Sequence, residues 1–451
     1  GDNSVAMGSN CEASGNYSVA IGSGSTALGP GSFAEGSGSI AKGNNSVAMG
    51  SNCEANGPNS IALGSGSIAV GSGSFAEGSG NIATGDYSVA MGEYNRAFAK
   101  GSIAMGSNTL ANGVNSIALG SNTIASGNYS TAMGFNTKVN GPNSTAMGMG
   151  SQADGSYSTA MGLKAQASGN YSFAEGNSSI AAGMNSVAMG DNNIANGNGS
   201  IAMGEGNRCE PTGVYSIALG YGNEVYDEGS VAMGFTSKAS GLASFAMGNS
   251  AKTFGDFAVA MGRHNTASGD YSIALGLGTQ AIGLASFAEG SGSIATGMNS
   301  VAMGEENRAI GNYSIAMGSI NKCEASGVYS IALGFNNIAH DVASVAMGFT
   351  SEAIGTASFA MGSYANTSGD YAFSMGRNTI ASSDYSIAMG YKTQAIGLAS
   401  FAEGSGSIAR GPVSTAMGWG SIANGEGSTA MGYNLTVHKP HTLGNGGDIY
   451  G

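Results

Sequence analysis

Apolar and polar positions along the chain recur with a period of seven, and pairs of sevens recur with a period of fourteen. Asn44 to Gly57, NNSVAMGSNCEANG, is representative. Its first seven reads x-x-Ser-Val-Ala-Met-Gly; its second reads x-x-x-x-Ala-x-Gly, with polar residues in most open places. Within Ser-Val-Ala-Met and Ser-Ile-Ala-Leu, small and large residues alternate, which is the period of a β-strand. A seven-residue period also invites a coiled coil, but a Gly in nearly every seven would cost about 1 kcal/mol each in helix propensity. Gly after each short strand is expected to supply the positive φ of a tight turn. Where Asp341 and Ser383 replace it, Asp tolerates the left-handed region and Ser does so less readily. Two strands and two turns per fourteen predict an all-β chain, each fourteen being one coil of a narrow parallel β-solenoid or β-roll. Coils stack at roughly 4.8 Å, so about thirty of them give a rod on the order of 145 Å long.

The alternation assigns the faces. Ser at place 3 and Ala at place 5 point one way; Val, Ile or Phe at place 4 and Met or Leu at place 6 point the other. A fourteen-residue coil encloses almost no space, so the small residues are expected inside. A row of large apolar residues then faces outward: Val47 and Met49, Ile61 and Leu63, Val89 and Met91, Ile273 and Leu275, and so on to Thr429 and Met431. The second seven carries mostly polar residues at the equivalent places. A one-sided apolar stripe of this length exceeds what a soluble monomer exposes, which predicts side-by-side association through the SVAMG strands, with each chain using the same interface.

The register has larger echoes. Residues 2–36 recur at 44–78, and FTSKASGLASFAMG at 235–248 returns as FTSEAIGTASFAMG at 349–362. The second shift, 114, is eight fourteens plus two, and the two extra residues fall in EGNRCEPTG (205–213) and SINKCEASG (319–327). Two further nine-residue units, EYNRAFAKG (93–101) and YGNEVYDEG (221–229), read as enlarged surface turns. Loops on a rigid scaffold often carry recognition, so Arg96, Arg208, Tyr226, Asp227 and Glu228 become candidate ligand contacts against a reading as solvated loops. The repeat sequence runs over residues 1–432, and 433–451 reads as a non-repeat cap or junction.

Composition narrows the partners. Gly is 79 of 451 residues but recurs every seventh place, which excludes collagen. Charged residues are 10% of the chain and the net charge is −13; nucleic acid and anionic membranes are bound through Lys/Arg patches, so neither is expected as a partner. No apolar run reaches bilayer length, so this segment is not expected to insert directly into a membrane. Gly1-Asp2-Asn3-Ser4 enters the repeat directly, which reads as a mature product or a piece of a longer protein.

The SVAMG and SIALG halves, with Ala-x-Gly twice per fourteen over essentially residues 2–432, resemble the YadA-like head repeats of trimeric autotransporter adhesins. The resemblance implies a left-handed roll, a homotrimer on a bacterial surface, and binding to matrix proteins or host surfaces. The SFAEG units are also similar to repeats in some phage fibre proteins and Gram-positive surface proteins.

Candidate chemistry is sparse. The recurrent Met column is packing material. Cys11 and Cys53 lie three coils, roughly 14 Å, apart, which is too far for a disulfide; both are expected to point inward. The most unusual residues are Glu35, Glu77, Glu175, Glu289 and Glu403 of SFAEG, each in the Met/Leu column two residues after a Phe. In a trimer each would form a layer of three carboxylates, which cannot all ionise without compensation. Three readings stand: a structural polar layer sharing protons, a cation or water site, or side chains that swing outward. His438 and His441 flank Lys439-Pro440 with no third ligand spaced to help. No catalytic triad, phosphate loop or paired-cysteine motif emerges, so no enzyme and no cofactor are expected. Two functions remain: an extracellular adhesive rod, the head of a bacterial surface adhesin; and a structural subunit of a phage fibre or of a filament assembled end to end.

Overall fold

A computed structural model describes residues 1–438 and the backbone of residues 443–444. The chain is an all-β parallel β-solenoid of about 31 turns, about 14 residues each, with no helix among the described residues. It divides into two units, Gly1–Glu228 and Gly229–Gly451, and each is built from the same coil.

Every coil has one five-residue strand and one two-residue strand, such as Val47–Ser51 and Glu54–Ala55 in the first unit. Each strand pairs in parallel with its counterpart in the next coil, fourteen residues on except at two longer coils. Val47 lies beside Ile61 and Met49 beside Leu63; in the second unit Ile273 lies beside Phe287 and Gln280 beside Ile294. The turns join the same ladder, with the Val47 amide donating to the Ser60 carbonyl (2.9 Å) and the Asn52 amide to the Ser37 carbonyl (2.8 Å).

The inward residues are the small ones. Ala48, Ala55, Ala62 and Ala69 are fully buried, as are Ser46, Ser60 and Ser67. Serine suits these places for more than its size. Ser46 Oγ donates to the Gly43 carbonyl three residues back (2.7 Å), and Ser39 Oγ donates to the Gly50 carbonyl of the next coil (3.1 Å). Cys53 is the isostere that does the same, its Sγ 3.2 Å from the Gly64 carbonyl.

The two glycines of a coil differ. Gly50 has φ +126° and a Cβ there would lie 1.9 Å from the Gly64 carbonyl oxygen. Gly43 is not in the left-handed region, yet a Cβ there would lie 1.9 Å from the Gly57 oxygen. The second glycine is therefore favoured by the backbone stacked above it rather than by its own φ. Asp341 and Ser383, which replace it, are not left-handed either, which corrects the turn reading. The left-handed residue of each tight turn is the second place of the seven, Asn45 (φ 55°) or Tyr87 (φ 57°) for example.

Two of the nine-residue units, EYNRAFAKG and YGNEVYDEG, are not enlarged turns. Val89 still pairs with Ile103, and Ala99 simply stands where Gly usually does. Ile217–Tyr221 and Glu224–Val225 are strands of ordinary length, and the next long strand begins at Val231, fourteen residues on. Asp227 occupies the Gly place. The true insertions are the other two: Ile201 pairs with Ile217, and Ile315 with Ile331, across sixteen residues. The extra pair makes a tight turn, closed by the Gly213 amide on the Glu210 carbonyl (2.9 Å) and the Gly327 amide on that of Glu324 (3.0 Å).

Coil geometry outlasts the repeat sequence. Thr436–Val437 pairs with Ile422–Ala423, and Thr429 with Leu443. Leu435 and Val437 take the inward places of the last described short strand and are fully buried.

Candidate assembly face and exposed edge

The long strand presents three outward columns because its side chains alternate. The first holds Val47, Ile61, Val89 and Ile273, half-buried; the second holds Met49, Leu63, Met91 and Leu275, with Met49 38% exposed. Val47, Met49, Ile61, Leu63, Val89 and Met91 thus share one outward face of the first unit, and Ile273 and Leu275 take the corresponding places on the second. Glu35, Glu77, Glu175, Glu289 and Glu403 sit in the second column, where Glu77 lies between Leu63 and Met91, and Glu403 between Met389 and Met417.

The third column, the residue after the glycine, escaped the sequence reading. Ser is its commonest residue, but it carries Phe135, Met149 and Leu163 on three successive coils of the first unit, all exposed. In the second unit Phe335 and Phe349 stack there with centroids 5.1 Å apart. The signal was available as large residues breaking a polar place in consecutive fourteens.

The candidate ligand residues are dispersed. Arg96 lies in the short strand Arg96–Ala97, exposed on an ordinary coil. Arg208 pairs with Glu210 at 2.6 Å, as Lys322 does with Glu324 at 2.6 Å. Tyr226 donates its hydroxyl to Glu224 (2.7 Å), and Asp227 accepts the Glu228 amide (2.8 Å). These are local contacts along one strand or turn, and they converge on no common site.

A second feature missed from sequence is a ladder of buried asparagines at the inward place of the short strand. Asn193, Asn207 and Asn223, and again Asn307, Asn321 and Asn337, are fully buried. Asn321 Nδ2 donates to the Met317 carbonyl (2.9 Å) and the Gly334 carbonyl (2.6 Å), while its Oδ1 accepts the Asn337 amide (3.0 Å). Each ladder spans one of the two insertions and ties the longer coil to its neighbours.

The thiols are inward and free. Cys53 points inward as expected; Cys11, in the first coil, is only partly buried. Burial raises the Cys53 and Cys209 thiols, and pushes Cys323 up to about 11, so these thiols are held protonated and unreactive. His340 Nε2 lies 2.8 Å from Glu352 and His438 Nδ1 3.1 Å from Asn424; His441, Lys439 and Pro440 lie outside the described residues. Among the described residues no group of three His, Cys, Asp or Glu side chains could hold a metal ion.

Coils with a methyl-sized interior, columns of outward apolar residues and scattered polar chemistry define a structural repeat solenoid. The YadA head domain repeat matches residues 1–151, 153–179, 181–206, 212–237, 239–279, 281–319, 325–351, 353–393 and 409–434. The chain belongs to the YadA head repeat family. Two of the gaps, 207–211 and 320–324, fall on the sixteen-residue coils. No curated protein matches the chain.

Proposed function

We propose that the chain is the non-enzymatic, adhesive head of an extracellular fibre, assembled as a homotrimer on a cell surface and engaging a host matrix or surface polymer. Family and fold are those of a structural adhesin repeat rather than an enzyme. The observation that carries the trimer is the outward apolar face, with Val47, Met49, Ile61, Leu63, Val89, Met91, Ile273 and Leu275 as its interface residues. An extended apolar face of this kind on each unit is covered in solution, and a cyclic assembly covers it on every chain alike. The five glutamates then form polar layers that fix the axial register, as isolated polar positions do in coiled coils. Arg96, Arg208, Tyr226, Asp227 and Glu228 stay at the surface as contact residues. The repeat sequence of residues 1–432 builds the rod, its coil geometry runs on through Val437, and the segment 433–451 serves as its junction.

Sedimentation equilibrium tests the reading, with an expected mass three times that of the chain. Met91→Asp places a charge in the apolar face and should dissociate the assembly, whereas Thr84→Asp, on the opposite half of a coil, should leave it intact. A stable wild-type monomer, or equal effects of the two substitutions, would refute the assignment of the face.

A further inference from the structure

Six Asn-Gly steps lie among the described residues: Asn56–Gly57, Asn112–Gly113, Asn140–Gly141, Asn196–Gly197, Asn198–Gly199 and Asn424–Gly425. Asn445–Gly446 lies outside them. In such a step the backbone nitrogen of the glycine can attack the asparagine side-chain carbon and displace ammonia, because glycine has no side chain to hinder the approach. The reaction needs both groups loose. A hydrogen bond on the glycine amide ties the nucleophile to a neighbouring coil, and one on the asparagine side chain fixes the carbon it must reach.

The coils tie down five of the six. The Gly57, Gly113 and Gly141 amides donate to the Ala69, Ala125 and Ala153 carbonyls of the next coil, at 3.4, 3.2 and 3.2 Å. Asn56 Nδ2 is also held by Glu54 (3.2 Å) and Asn140 Nδ2 by Asp154 (2.6 Å). Asn198 is fixed at both groups: its Oδ1 accepts the Met184 amide (2.9 Å), and the Gly199 amide donates to the Met184 carbonyl (2.7 Å). The Asn424 side chain lies between Arg410 (3.2 Å) and His438 (3.1 Å). Asn196–Gly197 differs. Among the described residues neither the Asn196 side chain nor the Gly197 amide has a hydrogen-bond partner. Only the Asn196 backbone amide is engaged, by the Cys209 carbonyl (3.0 Å). The next coil is the sixteen-residue one, and its extra turn begins at Glu210, directly after that carbonyl.

We propose that Asn196 is a site of spontaneous modification, reacting with Gly197 and then with water. The Gly197 nitrogen bonds to Asn196 Cγ, the Cγ–Nδ2 bond breaks, and ammonia leaves with the proton of the Gly197 amide. Water then adds at either carbonyl of the cyclic imide, and opening of the ring gives aspartate or isoaspartate at this position. Both add a negative charge, and isoaspartate also adds a methylene to the backbone. The stack has no height to spare there, since even a Cβ on Gly197 would lie 2.1 Å from the Gly213 oxygen. The same step is bridged by the asparagine ladder, with Asn193 Oδ1 accepting the Asn207 amide at 3.0 Å. The lengthened backbone loosens this coil from the sixteen-residue coil above it while the other coils hold.

The test ages the full folded chain in mildly alkaline buffer and follows each step by peptide mass spectrometry. Electron-transfer fragmentation separates Asn196 from Asn198, and isoaspartyl methyltransferase labels the isoaspartate. Asn196 should react about tenfold faster than each of the other five, which must first break one or two hydrogen bonds. The same experiment in urea should bring all six to similar rates, because the open chain holds none of them. In the aged wild-type chain, hydrogen exchange across residues 194–216 should quicken. Asn196→Gln, whose longer side chain is slow to cyclise, should keep the exchange of fresh protein. The proposal is overturned if any other step keeps pace with Asn196 in the folded chain, if the ranking persists in urea, or if aged wild type and aged Asn196→Gln exchange alike.

Discussion

Substituting alanine at the two glycines of one coil separates the two reasons for glycine. In Gly50→Ala the new Cβ meets the Gly64 oxygen at 1.9 Å with the backbone at φ +126°. A side chain at left-handed φ costs about 1–2 kcal/mol. Relieving the overlap must push the stacked coils apart locally. That strains the bonds across the same step, from Cys53 Sγ to the Gly64 carbonyl and from the Gly66 amide to the Ser51 carbonyl, each worth about 1 kcal/mol. The sum is about 3–4 kcal/mol. Gly43→Ala meets the Gly57 oxygen at the same 1.9 Å but has no φ penalty, and its own amide bond to Ala55 is long at 3.2 Å. The chain accommodates Ala99 and Ser383 at that place, so about 1–2 kcal/mol is expected. Stacked repeats open locally, so the assay is hydrogen exchange of peptides covering residues 40–66. Protection should fall by about two orders of magnitude or more for Gly50→Ala and by about one for Gly43→Ala. Equal losses, or a greater loss for Gly43→Ala, would refute the distinction.

Three further outcomes follow from the same coil. Glu77→Met restores the apolar column and should raise the temperature of trimer dissociation; a lower temperature would show that the carboxylate layer is itself stabilising. Asn321→Ala leaves the Asn337 amide and two carbonyls short of partners and should destabilise the sixteen-residue coil by about 2 kcal/mol, seen as faster exchange confined to residues 315–337. Cys323 has its thiol raised from 9.0 to about 11 by burial. The folded state holds its proton more tightly than the unfolded one, so this stabilisation is complete below pH 9 and is lost as pH climbs towards about 11. Cys323→Ala, which fits the surrounding alanine column, should abolish that part of the alkaline destabilisation in urea titrations.

Coil, register and inward residues were legible in the sequence because one period governs them all: Ser and Ala alternate with Val and Met, and a fourteen-residue loop has room only for the former. Conformation within a turn was not legible, since Gly43 and Gly50 look alike and differ only in what the next coil places above them. Ala99 and Asp227 misled the parse for the same reason: counting from glycine to glycine mistakes a substitution for an insertion. The third outward column and the asparagine ladders were hidden because they are exceptions at places read as generically polar. The left-handed tyrosines of the tight turns, such as Tyr87, were hidden because left-handed φ is not expected of a bulky residue.

The nearest-neighbour stacking has a mechanical consequence. Among the described residues each coil is hydrogen-bonded to the coils before and after it, as Val47 is to Ser60 and Asn52 to Ser37. A force pulling on one end of the chain therefore loads the terminal coil first, and that coil can peel away while its neighbours hold. Fourteen residues freed and drawn out span roughly 45–50 Å, about ten times the height the coil occupied in the stack. Under load such a chain lengthens in small, repeated increments, and a tether of this kind yields by unspooling before it breaks.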